Sequence, residues 1–232
     1  MQKLDTPAQL IERVYDTILD AICDGTLQPN ERITQEGLAA QLGVSRQPIL
    51  QAFQILKRQG FIEESGRKGV AVTPLDPQNL VHLYKVRAAL DALAASSAAR
   101  RLQQHGAKAA RAEGEKIIKK GRAAAESNDT GALVRMDMAF HAFIYEQSGN
   151  PVIGQTTALH WHHIRRTMSS ILRNDVRTFD GVWDEHQAIL EAVLAGDEQR
   201  AAQLARGHAE SAAEHLARIL EGAEHASKLK QA

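Results

Sequence analysis

Asp137 and His141 are four residues apart, so on a helix they share one face. Leu133, Phe140 and Ile144 lie along or beside that face, which turns the polar pair toward a core. His186 stands among Val182, Trp183, Ile189, Leu190 and Val193. His208 lies one turn after Leu204 and one turn before Ala212. Three helical segments therefore each present an imidazole, or a carboxylate with an imidazole, on an inward face. Alone, an inward histidine is more often a hydrogen-bonded core residue, and an Asp-x3-His pair is common. Together, one Asp and three His would make a facial or distorted octahedral metal site with open positions. A buried carboxylate is costly by itself, and a divalent cation relieves that cost. Zn²⁺ is the default ion for a histidine-rich set, with Ni²⁺, Mn²⁺ and Fe²⁺ as the other candidates.

A second group of residues suits nucleic acid. In the segment Ser45 to Arg58, Ile49, Ala52, Phe53 and Leu56 recur at helical spacing and face a core. Arg46, Gln47, Leu50, Gln51, Gln54, Lys57 and Arg58 are left toward solvent. The Ser45 hydroxyl can cap the first turn, and Pro48 loses no hydrogen bond there. A positive helix end beside Arg46 suits a phosphate. Gln47 and Gln51 can offer paired donor and acceptor groups to an adenine edge. Residues 1–75 nevertheless hold eight Lys/Arg against nine Asp/Glu, a net charge of −1, so the positive charge is local to this helix and to Arg67 and Lys68.

The elements that must position these residues are also legible. Residues 6–24 read as a helix, with Thr6 as N-cap, Pro7 at its first position and Gly25 as its C-cap. Shorter helices follow over 35–42, between Thr34 and Gly43, and over 45–59. Residues 61–64 and 69–73 read as two strands around the turn Ser65-Gly66-Arg67-Lys68. This order is the outline of a winged helix-turn-helix over residues 1–75. The prolines of Pro74-Leu75-Asp76-Pro77 mark a hinge. Helical patterns then cover 77–104, 107–126, 130–148, 151–173, 178–195 and 197–225, with a frayed tail after about 222. The expected fold is mainly α, a winged module followed by an all-helical antiparallel bundle over 76–232.

Composition agrees with this division. The chain has 232 residues, with 28 Lys+Arg against 28 Asp+Glu. No global field therefore draws it to nucleic acid or membrane. Aromatics are only 4% and alanine is abundant, which favours helices packed by small side chains over a sandwich or barrel. One cysteine, Cys23, excludes an intramolecular disulfide framework and fits a reducing cytoplasm. No apolar run approaches the ~20 residues that span a bilayer. These features point to a cytoplasmic protein.

The run Gly43-Val44-Ser45-Arg46-Gln47-Pro48, with Leu38-Ala39 before it and Gly60 after the helix, resembles the GntR superfamily of bacterial transcription regulators. Residues 25–33, Gly-Thr-Leu-Gln-Pro-Asn-Glu-Arg-Ile, match that family's approach to its second helix. The second half is similar to the FCD ligand domain of the FadR/VanR branch. The resemblance implies that Arg46 contacts DNA, with Ser45, Gln47, Leu50 and Gln51 on the same helix. It implies that the wing tip Arg67-Lys68-Gly69 enters the minor groove. Asp137, His141, His186 and His208 would hold the metal. A small carboxylate effector would meet Arg87, for which a plain intrahelical ion pair with Asp91 is the alternative. His160 is a further candidate for lining the cavity. Leu50 and Glu36 stand where family members carry arginines, which implies a different operator and weaker salt dependence.

The expected function is a homodimeric, effector-responsive repressor on a roughly palindromic operator, with no membrane partner. Two alternatives remain. The Asp/His₃ set could activate water in a metalloenzyme, although no nucleophile or general base accompanies it. The metal could instead be purely structural.

Overall fold

The structure is a computed structural model that describes residues 7–66, 69–173 and 181–231. The chain forms two compact units, Met1–Leu75 and Asp76–Ala232. In the first, three helices precede and flank a small sheet: α1 (Pro7–Asp24), β1 (Arg32–Thr34), α2 (Gln35–Leu42), α3 (Arg46–Arg58), β2 (Ile62–Ser65) and β3 (Gly69–Val72). Val14, Ile18 and Ile22 of α1 and Ile49, Phe53 and Leu56 of α3 share one buried core with Phe61 and Val72. Thr34 caps α2 by accepting from the Gly37 amide at 3.1 Å. Gly43 ends α2 with φ 65°, a left-handed conformation that glycine adopts without penalty, and the chain turns there into α3.

Two details differ from the sequence reading. The sheet has three antiparallel strands in the order β1-β3-β2, with Ile33 opposite Val70 and Ile62 opposite Val72. Three residues are too few to show the alternation that identifies a strand, so β1 leaves no periodic trace. Ser45 sits at the N-cap position of α3 but makes no side-chain capping bond. The expected N-cap Thr6 lies outside the described residues.

The second unit is helical throughout its described residues: α4 (Pro77–His105), α5 (Lys108–Glu126), α6 (Thr130–Gln147), α7 (Pro151–Leu172), α8 (Val182–Leu194) and α9 (Glu198–Gln231). Asp76, Asp129 and Asn150 cap α4, α6 and α7 through their side-chain oxygens. The last helix continues to Gln231, beyond the frayed end expected from sequence. Buried alanines recur every four residues along α9, at 201, 205, 209, 213 and 217. They meet the alanine-rich face of α4, the helix that packs against α6, α7, α8 and α9. Small side chains let these axes approach closely. Gly114 and Gly121, one heptad apart on α5, do the same for α8. A Cβ on Gly121 would stand 2.0 Å from the Trp183 ring, and one on Gly114 would stand 2.6 Å from Leu190. Trp183 in turn packs edge-on against His186, so this close approach helps to set where α8 carries its histidine.

Candidate functional site

The bundle brings Asp137, His141, His186 and His208 together. One donor atom from each lies within 4.8 Å of every other, and all four residues are buried. His186 Nε2 is 3.3 Å from His208 Nε2 and 3.5 Å from Asp137 Oδ1. Two donors bound about 2.1 Å from one ion, at angles of 90–110°, would stand about 3.0–3.4 Å apart, so these two spacings are close to those of neighbouring ligands on one ion. The chemistry of the set fits as well. Asp137 Oδ2 is buried with no hydrogen-bond partner, a costly state that a cation relieves. Burial raises the Asp137 pKa against the opposing pull of Arg87 and His208, and it drives His141 and His186 well below the ordinary histidine range, where Arg87 and His208 add to the lowering. Neutral imidazoles are the form that binds metal.

Carboxylates outside the set orient two of the histidines. Glu185 Oε2 lies 2.6 Å from His208 Nδ1, so Nδ1 carries the proton and Nε2 keeps its lone pair for the interior. At His141, the Arg87 guanidinium donates to Nε2 at 2.5 Å, because arginine offers donors only. The ring proton must therefore sit on Nδ1, which faces Asp91 Oδ2 at 3.4 Å. His208 therefore presents a free Nε2 lone pair to the interior, whereas the Nε2 lone pair of His141 is taken by Arg87, which would have to give way for that nitrogen to bind an ion.

Arg87 is buried to 2% exposure and has four kinds of partner. Its Nε donates to Asp91 Oδ2 at 3.1 Å, and its guanidinium lies over Trp161 at 4.3 Å and Tyr84 at 5.0 Å. Burial is the largest single influence and opposes its charge, but Asp91, Tyr84, Asp137 and Tyr145 together outweigh it and hold its pKa above the usual arginine value. Tyr145 donates to Asp91 Oδ1 at 2.5 Å, and burial pushes the Tyr84 phenol up to about 12. The intrahelical Arg87–Asp91 pair is thus present, and it is tied to the donor set through His141. Trp161 and Tyr145 also line a cavity of about 590 Å³ between α6 and α7, with Arg135, Met138, Thr157 and His162. His160 is half-buried and does not join the four donors. Glu185, Tyr145 and Trp161 carry no sequence signal for these roles, since each acts on a residue brought near only by tertiary packing.

In the first unit, Arg46, Gln47 and Gln51 are exposed on α3, and Leu50 is 36% exposed on the same side. Ser45 precedes the helix with its hydroxyl uncommitted to a cap. Gly69 opens β3 opposite Thr34 and Ser65. Arg67 and Lys68 of the expected wing tip lie outside the described residues. Among the described residues no helix is long and apolar enough to cross a membrane.

Comparison with known proteins places both units. The bacterial regulatory proteins of the gntR family match residues 10–72, and the FCD domain matches residues 82–211. The chain is 26% identical to the HTH-type transcriptional regulator YdhC of Bacillus subtilis (strain 168), over 94% of this chain and 96% of that one. It is also 26% identical to the "Probable D-xylose utilization operon transcriptional repressor" of Paenarthrobacter nicotinovorans, over 84% of each. The E. coli protein McbR/YncC has a similar fold, with a TM-score of 0.71 at 18% identity over 96% of this chain and 99% of that one.

Proposed function

This chain belongs to the gntR family of bacterial regulatory proteins and carries an FCD domain, and from that premise we propose that it is a metal-dependent repressor released by a small carboxylate metabolite. It is a transcription regulator and not an enzyme. The observation that carries the finer reading is the convergence of Asp137, His141, His186 and His208 around one point. These four residues would hold the ion, with Zn²⁺ the first candidate. A bound ion would supply a Lewis-acidic anchor for a carboxylate oxygen. Arg87 supplies a guanidinium beside His141, suited to a second carboxylate oxygen. Trp161 and Tyr84 exclude water around it and fix its plane.

Ser45, Arg46, Gln47, Leu50 and Gln51 of α3 would read a duplex, and Arg67, Lys68 and Gly69 would follow the adjacent minor groove. A homodimer would set two such units over a roughly palindromic operator, in the cytoplasm where the DNA lies. Effector can shift DNA affinity only by binding one arrangement of the dimer better than the other.

Metal analysis of untagged protein, beside a His141→Ala/His186→Ala variant, tests the site. About one tightly held ion per chain, lost in the variant, is the expected result. An absence of metal after adding Zn²⁺ or Ni²⁺ would overturn it. Duplexes selected by the protein from a random pool should then be released by members of a panel of small mono- and dicarboxylates. Metal retained with no release by any of them would leave a structural ion.

A further inference from the structure

Arg46 and Lys57 stand eleven residues apart on α3, which at 3.6 residues per turn returns to within about 20° of the same direction. Leu50 and Gln54 fall between them, so the four form one strip along the exposed side of the helix. Both cations of this strip are already held by carboxylates. Arg46 is paired with Glu36 from the first turn of α2. Lys57 Nζ donates to Glu64 Oε1 of β2 at 2.5 Å. Glu64 shares a groove of about 280 Å³ with Leu50, Gln54 and Lys57, between α3 and the β2–β3 pair. The acids thus bracket the strip rather than lying behind it. All four side chains remain well exposed, at 67% and 75% for Arg46 and Glu36, and 44% and 76% for Lys57 and Glu64.

Exposed pairs of this kind add little to stability. Their consequence lies in what an incoming anion must do. A phosphate approaching Arg46 or Lys57 meets a cation whose charge is already neutralised, and the carboxylate it displaces stays in the field of the duplex. Binding to DNA of arbitrary sequence depends almost wholly on such phosphate contacts. A matched site adds base-edge contacts, here from Gln47 and Gln51, that the acids do not oppose. Resting on the reading of α3 as the DNA-contacting helix, we propose that Glu36 and Glu64 are specificity-determining residues that suppress binding to unmatched duplex DNA. They hold Arg46 and Lys57 in ion pairs until base contacts offset the loss of those pairs. Selectivity then comes from a built-in opposing charge as well as from attraction.

The full-length protein should be titrated with two duplexes, one of scrambled sequence and one selected by the wild type from a random pool, across a range of KCl concentrations. Glu36→Gln, Glu64→Gln and the double variant keep side-chain shape and remove the charge. Glu63→Gln removes the same charge from the neighbouring residue of β2, which is exposed and makes no ion pair among the described residues. For the double variant we expect scrambled-duplex affinity to rise about tenfold at low salt, with the slope of log K against log[KCl] steeper by about 1 to 2. Affinity for the selected duplex should rise less, so the specificity ratio falls. Glu63→Gln should stay within about twofold of wild type. Unchanged scrambled-duplex binding in the double variant would overturn the proposal, as would an equal gain from Glu63→Gln. Failure of the underlying reading looks different: Arg46→Ala and Lys57→Ala would then leave wild-type DNA binding intact.

Discussion

Arg46 and Arg87 are each paired with one carboxylate, yet the two pairs sit in opposite electrical settings. Arg46 and Glu36 are mostly in water, whereas Arg87 and Asp91 are 3% and 2% exposed. In water the attraction is screened, and holding two long side chains together costs entropy, so an exposed pair contributes little to folding. Inside the bundle the same attraction is unscreened, and each charge would be intolerable without the other. The exposed pair is therefore free to exchange partners, which suits the phosphate contact proposed for α3. The buried pair is fixed and forms part of a network through Tyr145, His141 and Trp161. One unit keeps its charges exchangeable and the other keeps them in place.

The largest effect that follows is on stability. Asp91→Ala strands the Arg87 guanidinium in the core and removes the acceptor of the Tyr145 hydroxyl, so it should cost about 3–5 kcal/mol. Urea unfolding of the full chain, with bundle and winged unit followed by separate probes, would measure it. The loss should appear in the bundle transition alone. A loss below about 1 kcal/mol would mean that water reaches Arg87, and the contrast between the two arginines would collapse.

The same contrast explains what is legible in the sequence. Helix periodicity, caps and the glycines at 25, 43 and 60 determine local structure, so the hairpin and most helix ends are legible to within a residue or two, the start of α8 and the end of α9 excepted. Asp137, His141, His186 and His208 were legible because each lies on the apolar stripe of its own helix. Pairings across elements were not. Nothing local in Glu185 shows that it will meet a histidine 23 residues away, and nothing in Glu36 shows that it will hold Arg46. Glycines 114 and 121 are poor helix formers by type, yet they are the places where α8 approaches closely. β1 is too short to show a period and exists because β3 offers it an edge. For Arg87 the sequence shows the ion pair with Asp91, four residues away, but not the contact with His141.

Within the bundle, a smaller effect separates holding a proposed metal ligand from merely being near one. Among the described residues Glu185 touches no other member of the donor set, and its side chain is half exposed. It acts by fixing the proton of His208 on Nδ1. Glu185→Gln keeps the size but weakens the hold on that tautomer, and should lower affinity for Zn²⁺ about 10–100-fold in competition with a chromogenic chelator. Glu191→Gln, on the same helix but bonded to Gln187, should leave affinity unchanged. Equal losses from both would reduce the role of Glu185 to its charge.

The smallest effect is the most direct test of the comparison. A double-mutant cycle on Glu36→Ala and Arg46→Ala should give a coupling of only about 0.2–1 kcal/mol in folding stability. That coupling should shrink further as salt rises, because both charges lie within reach of the ionic atmosphere. A coupling that is large and insensitive to salt would mean that α2 and α3 depend on this pair as the bundle depends on Arg87 and Asp91. Phosphate could not then displace Glu36 without loosening the helix-turn-helix itself. A small, salt-sensitive coupling leaves the fold indifferent to the exchange, and the energy of the pair is felt only when DNA competes for it.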